Sequence, residues 1–105
     1  MRMLMKVNID TSTANNAVRN GTLGSTMKSI LDDLKPEAVY FTDDGGERTA
    51  FIFFDMKEVS QIPAVAEPWF LAFNAKVHFR PCMNLGDLVQ AGPGIEQAAK
   101  KYGKQ

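Results

Sequence analysis

The strongest structural signal in this sequence is a turn between two apolar segments. The segments span residues 38–42 and 48–55, and Asp43-Asp44-Gly45-Gly46 lies between them. Asp-Gly and Gly-Gly pairs favour the tight turns of β-hairpins, because glycine readily adopts the positive φ angles that these turns need. We therefore predict an antiparallel hairpin. A loop of even length also places the even-numbered residues of its first strand beside the odd-numbered residues of its second.

Two further strands are predicted outside this hairpin. Apolar and polar residues alternate over residues 2–9 and again over residues 76–83. This period of two is typical of a strand whose two faces meet different surroundings. Together with the hairpin, the pattern indicates a sheet of four strands.

Helical spacing of apolar residues separates the strands. It runs over residues 23–34 and over residues 59–73. Gly21 and Gly24 predict a break in the first helical region, and Pro68 predicts that two short helices replace one in the second. A last helix is predicted over residues 95–102, after a capping signal at Asn84 and Asp87.

The order of these elements is β, α, β, β, α, β, followed by an extra C-terminal helix. This order predicts one α+β domain over residues 1–105 with a ferredoxin-like fold, in which two helices cover one face of a four-stranded antiparallel sheet. The first and third strands then lie centrally, in agreement with the apolar residues on both faces of the segment over residues 50–54.

The odd-even pairing that the hairpin loop sets assigns the side chains to two faces of the sheet. Val39, Phe41, Ala50, Ile52 and Phe54 are expected under the helices. The opposite face is expected to hold a mixed group of aromatic, apolar and polar residues. These residues are Leu4, Lys6, Asn8, Tyr40, Thr49, Phe51, Phe53, His78 and Arg80. An exposed aromatic patch on this face needs a cover, and a second copy related by a two-fold axis is the commonest one, so a homodimer is predicted.

The chain resembles the dimeric α/β-barrel superfamily, in which two ferredoxin-like sheets face each other, and it looks like a small bacterial member. The resemblance rests on the element order, on the aromatic strand over residues 50–55, and on the stretches Lys35-Pro36-Glu37-Ala38-Val39-Tyr40-Phe41 and Glu67-Pro68-Trp69-Phe70. It implies the fold and the dimer. The superfamily includes cofactor-independent oxygenases, muconolactone isomerase-like enzymes and haem-degrading enzymes, so the activity is implied far less closely.

Composition narrows the class of partner. Twelve Lys and Arg balance twelve Asp and Glu, which argues against the basic surface that nucleic-acid binding needs. No apolar run approaches the roughly 20 residues that cross a bilayer, so no membrane association is expected.

The single cysteine, Cys82, excludes an intrachain disulfide. Without a secretion signal at the N-terminus, the expectation is a soluble cytoplasmic protein.

The candidate site lies on the mixed sheet face. Its ligand-binding candidates are Lys6, Asn8, Tyr40, Phe51, Phe53, His78 and Arg80. Such a mixture is typical of a ligand pocket and equally of a dimer interface with a polar rim. The interface is favoured, because the aromatic patch has to be covered whereas a ligand is optional. His78 and Tyr40 are the catalytic candidates, and no metal site or bound cofactor is expected.

Two functions of different classes fit these observations. The first is a homodimer that binds a small aromatic or apolar ligand, with no catalytic signature. The alternative is a cofactor-independent oxygenase or isomerase that acts on a small aromatic or enolisable substrate, with His78 or Tyr40 moving protons. Haem binding through His78 is a weaker hypothesis. RNA binding through Phe51 and Phe53 is also weaker, because the face lacks a basic aromatic platform.

Overall fold

A computed structural model describes residues 1–104 and contains one sheet with helices around it. The strands are β1 (Arg2–Asn8), β2 (Ala38–Asp44), β3 (Glu47–Asp55) and β4 (Lys76–Pro81). The helices are α1 (Thr11–Asn20), α2 (Leu23–Leu34), α3 (Ile62–Phe73), α4 (Leu85–Gln90) and α5 (Gly92–Tyr102), and a 3₁₀ turn at Val59–Gln61 precedes α3. The described chain is therefore an α+β fold with more helices than the predicted order contains.

The sheet is antiparallel throughout, with the strand order β2-β3-β1-β4. The first and third strands are central, as predicted. The hairpin prediction is also confirmed, because Tyr40 pairs with Phe51 and Asp44 pairs with Glu47 across a two-residue turn. This arrangement is compatible with a ferredoxin-like fold.

Both residues of the hairpin turn have positive φ angles. The values are 63° at Gly45 and 81° at Gly46, the signature of the turn whose twist matches the flanking strands. A side chain at the second position is strained, whereas asparagine is well tolerated at the first.

We therefore expect Gly46→Ala to lower the free energy of unfolding by about 1–2 kcal/mol. Gly45→Asn is the matched control and is expected to change it by less than about 0.5 kcal/mol. Urea unfolding of both variants measures the difference. Equal stability of the two variants would contradict the assignment of this turn.

The core lies between one face of the sheet and the helices α1, α2 and α3. Its fully buried members come from β1, β3 and α3 in the main. They include Met5, Val7, Ile52, Phe54, Trp69 and Phe73. The Trp69 and Phe73 rings lie 6.0 Å apart, and Phe54 meets Phe79 edge to face at 6.3 Å. Hairpin parity therefore predicts the buried face of β3 correctly.

Phe41 is a correction to that prediction. It lies on the helix side of the sheet, as its parity requires, but it is 58% exposed. The reason is its position on β2, which is an edge strand. Val39, two residues earlier on the same side of β2, does pack partly against the core.

The helix boundaries depart from the sequence pattern at two prolines. The break at Gly21 is confirmed, since this residue ends α1 in a left-handed conformation. Pro68, in contrast, does not divide α3, which continues to Phe73. Pro93 lies in the first turn of α5, where no amide hydrogen is needed, so α5 begins at Gly92 and not at residue 95.

The last two helices extend away from the sheet. Asn84 begins α4 with the predicted capping box: its Oδ1 accepts from the Asp87 amide at 2.8 Å, and its own amide donates to Asp87 Oδ2 at 3.0 Å. We call residues 83–104 the C-terminal arm, and none of them is buried. Among residues 1–104 there is no helix with both the length and the apolar character needed to span a bilayer.

Candidate functional site on the open face of the sheet

Within residues 1–104, one face of the sheet has no helix packed against it, and we call it the open face. Side chains alternate across a strand, so the residues that follow the buried core residues in β1 and β3 point to this side. The pairing of four adjacent strands aligns these side chains into rows that cross the whole sheet.

The central row contains four of the seven candidate residues. Tyr40 on β2 pairs with Phe51 on β3, and Phe51 pairs with Lys6 on β1. Lys6 in turn pairs with His78 on β4. Directly paired side chains have Cβ atoms about 4.5–5.5 Å apart, so each member of this row is within contact range of the next.

The two flanking rows hold the remaining candidates. Phe53, Leu4 and Arg80 form one flanking row together with Ala38. The other is formed by Thr42, Thr49, Asn8 and Lys76. The structure thus brings all seven predicted residues onto one continuous surface, with aromatic rings toward β2 and β3 and cationic groups toward β4.

Exposure differs across this surface. Phe51 and Phe53 are half-buried, because the rows on either side shield their rings. Tyr40 is 66% exposed, and His78 and Arg80 are also exposed. The phenyl rings of the patch are therefore only partly accessible, while Tyr40 and the polar groups of β4 are exposed.

A polar cluster stands at the hairpin end of the open face. Lys6 Nζ donates to Asp44 Oδ2 at 2.9 Å, and Asn8 Nδ2 lies 3.3 Å from the same oxygen. Asn8 Nδ2 also donates to Thr49 Oγ1 at 2.9 Å. The hydrogen bond from Lys6, followed by the one from Asn8, lowers the pKa of the Asp44 carboxyl. Asp44 holds Lys6 in place, and the sequence indicated only a turn residue at that position.

We expect Asp44 to make the stability of the protein depend on acid pH. A carboxyl group whose pKa is lowered in the fold stabilises it above the unfolded pKa of about 3.9, and this contribution is lost as the pH falls through the lower, folded value. The difference in unfolding free energy between the native chain and Asp44→Asn should therefore be constant near neutrality and shrink below about pH 4. The effect is small, because the Asp44 side chain is 44% exposed.

Asp43→Asn is the control for this titration. Asp43 is the neighbouring exposed carboxylate, and it lies opposite Arg48 in the register of the two strands. Chemical denaturation from pH 7 to pH 2 compares the three proteins. A parallel pH dependence in the native chain and the Asp44→Asn variant would contradict the role of Asp44.

The cationic side of the open face is not neutralised within residues 1–104. No carboxylate in this range lies within 4.0 Å of Lys76, His78 or Arg80. The side chains of Tyr40 and His78 likewise make no hydrogen bond to another described residue. These groups are therefore available to a ligand or a partner chain.

No arrangement typical of a metal centre is found in the described part of the chain, where no three His, Cys, Asp or Glu side chains come together. Outside the open face, a cleft of about 380 Å³ lies between α2, α3 and the end of β3. Trp69, Phe54 and Ile30 contribute to its mainly apolar lining. None of the seven candidate residues lines this cleft.

The sequence matches no model of a known protein family, and no curated protein is significantly similar to it.

Proposed function

We propose that the protein is a ferredoxin-like homodimer of the dimeric α/β-barrel type, which binds a small aromatic ligand between its paired open faces. The observation that carries this proposal is the central row of Tyr40, Phe51, Lys6 and His78. It places two aromatic rings and two basic groups side by side in a single row of paired residues.

Pairing of the open faces accounts for the aromatic half of the surface. Phe51 and Phe53 lie on a central strand, with Leu4 beside Phe53, and no helix within residues 1–104 covers them. Two such faces related by a two-fold axis bury each other's apolar residues. The same arrangement encloses the polar groups of both copies in one interior, which is the kind of setting that small-molecule sites use.

The charges on this face favour an anionic ligand. His78, Arg80 and Lys76 follow one another on the open side of β4 without a carboxylate partner within residues 1–104. An arginine guanidinium binds a carboxylate with two parallel hydrogen bonds, and the nearby phenyl rings suit an aromatic ring. The ligand class that fits both halves is an aromatic carboxylate.

Calorimetric titration tests this ligand class directly. The native protein is titrated with a panel of aromatic carboxylates and with the corresponding neutral amides. We expect the carboxylates to bind more tightly, and Arg80→Gln to weaken their binding by about tenfold or more. Arg48→Gln is the matched control. Arg48 is also exposed, but it lies at the hairpin end of β3 on the opposite face of the sheet. Equal affinity for carboxylates and amides would contradict the proposal.

A cofactor-independent isomerase or oxygenase is a second proposal, favoured by the direct pairing of Lys6 with His78. A neutral histidine can accept a proton from an enolisable substrate, while an adjacent ammonium stabilises the negative oxygen that forms. Solvent-deuterium exchange into an enolisable aromatic ketone, followed by NMR, tests this step. Exchange that His78→Gln abolishes would support it, and no exchange above the buffer rate would exclude this proton transfer for that substrate.

A further inference from the structure

The C-terminal arm has two apolar faces that no other part of residues 1–104 covers. On α4, Leu85, Leu88 and Val89 have the spacing of one helical face, and Ile95 and Tyr102 have that spacing on α5. Each of these five side chains is at least 46% exposed. Charged residues such as Glu96 and Lys100 occupy other positions on α5, so the arm is amphipathic.

Helices as short as these need a packing surface. The helix α4 has 6 residues and α5 has 11. Isolated helices shorter than about 12–15 residues are marginal in water, and most helical stability comes from the packing of an amphipathic face. A capping box at Asn84 and Asp87 contributes to α4 but does not replace that packing. The arm therefore has the sequence of a helical segment that packs on a surface, but residues 1–104 provide no surface packed against it.

The overall dimensions show that the chain is more extended than a compact monomer. The radius of gyration is 17.8 Å, against about 13 Å for a compact chain of this length. The chain extends over 60 Å in its longest direction but only 29 and 21 Å in the others. Its accessible surface is 7292 Å², whereas a compact monomer of this mass exposes about 5,800 Å². The excess is larger than the roughly 800 Å² that one partner buries in a standard interface.

The base of the arm is bonded to the end of the sheet. The Cys82 amide donates to the Arg2 carbonyl oxygen at 3.1 Å and so continues the pairing of β4 with β1. Arg2 also pairs with Asp87 of α4 at 3.5 Å and with Glu37 at 3.0 Å. From this base the arm extends outward from the end of β4, since no residue from 83 to 104 is buried and the longest dimension of the chain is 60 Å.

We propose that the arm of one copy packs its apolar faces against a second copy of this chain, which returns the same contact. The chain carries both an uncovered sheet face and an uncovered amphipathic arm, and a two-fold axis satisfies both at once. A balanced net charge of zero adds no repulsion between identical copies. The inference rests on the homodimer proposed above and adds a second, exchanged part to its interface.

Two substitutions in the full-length chain test the arm. Leu88→Asp is expected to raise the dimer dissociation constant by at least about 30-fold, because it places a charge in the docked face. Gln90→Asp is the matched control on the opposite side of α4, and it is expected to change the constant by less than about threefold. Sedimentation equilibrium measures both. Equal dissociation constants for the two variants and the native chain would overturn the inference.

Hydrogen exchange and cross-linking identify the surface that the arm contacts. In the native protein we expect the amides of α4 and α5 to be protected from exchange, and Leu88→Asp to remove this protection. For cross-linking, unlabelled and ¹⁵N-labelled chains are refolded together and treated with a lysine-reactive reagent. We expect Lys100 and Lys101 to be linked to peptides of the other label.

The outcomes separate the arm from the paired faces. A dimer whose arm amides exchange as fast as an unfolded peptide overturns the arm inference and leaves the paired faces standing. Cross-links from the arm only to peptides of its own label show an arm folded on its own chain and also overturn it. A native chain that is monomeric at all concentrations overturns both proposals.

Discussion

Trp69→Ala is expected to lower the free energy of unfolding by about 3–5 kcal/mol. Trp69 is completely buried on α3, beneath the sheet and beside Phe73. Alanine removes the whole indole ring and leaves a cavity that the surrounding strands can fill only in part. Single domains have a total stability of about 5–15 kcal/mol, so this one substitution removes a large share of it. Urea unfolding at fixed protein concentration measures the loss.

Two further variants separate the loss of volume from other effects. Trp69→Phe keeps an aromatic ring and removes the indole Nε1, a buried donor that has no hydrogen-bond partner within residues 1–104. We expect its cost to be only about 1–2 kcal/mol, because losing an unpaired buried donor offsets part of the lost packing. Leu71→Ala on the same helix is 82% exposed and is expected to cost less than about 0.5 kcal/mol. A Trp69→Ala cost no larger than that of Leu71→Ala would contradict the core described here.

The local parts of the fold could be predicted because short-range chemistry determines them. Gly45 and Gly46 specify the turn through their own backbone angles, and the turn then sets the parity of β2 and β3. The row of Tyr40, Phe51, Lys6 and His78 needs only that parity and the order of the strands. All seven candidate residues therefore share one face as predicted, although their role in binding stays a prediction.

The errors arise where distant parts of the chain meet. Parity places Phe41 on the helix side, but it does not show that the edge strand leaves this ring exposed. Pro68 disfavours helix locally, yet Ala66 and Trp69 on either side of it are buried, and that packing outweighs the lost hydrogen bond. Asp44 was expected only as part of the turn, because its contact with Lys6 spans 38 positions of sequence.

The arm shows a different kind of limit. Its cap at Asn84 and the helical spacing of its apolar residues are readable from sequence, but their exposure is not. An amphipathic helix has the same spacing of apolar residues whether it packs on its own domain or on a second chain. The extended shape, with no buried residue from 83 to 104, is the observation from which we propose that the partner is a second copy.

In the homodimer proposed above, Phe51→Glu is expected to convert the dimer to a monomer, with the mass in solution falling from twice the 11.6 kDa of one chain to that of a single chain. Phe51 lies on a central strand at the middle of the open face, and buried aromatic residues at interface centres commonly contribute several kcal/mol to binding. The two-fold axis of the proposed dimer would double the effect, because both copies then place a carboxylate in the apolar contact.

Phe41→Glu is the control for this experiment. It makes the same chemical change on the adjacent strand, at a ring that points to the helix side and is already 58% exposed. We expect this variant to remain a dimer, and circular dichroism checks that both variants keep the fold of the native chain. Light scattering coupled to gel filtration gives the masses over a range of concentrations. If Phe51→Glu folds and retains the native mass, the open face is not the interface, and the ligand site proposed between two such faces has no enclosing surface.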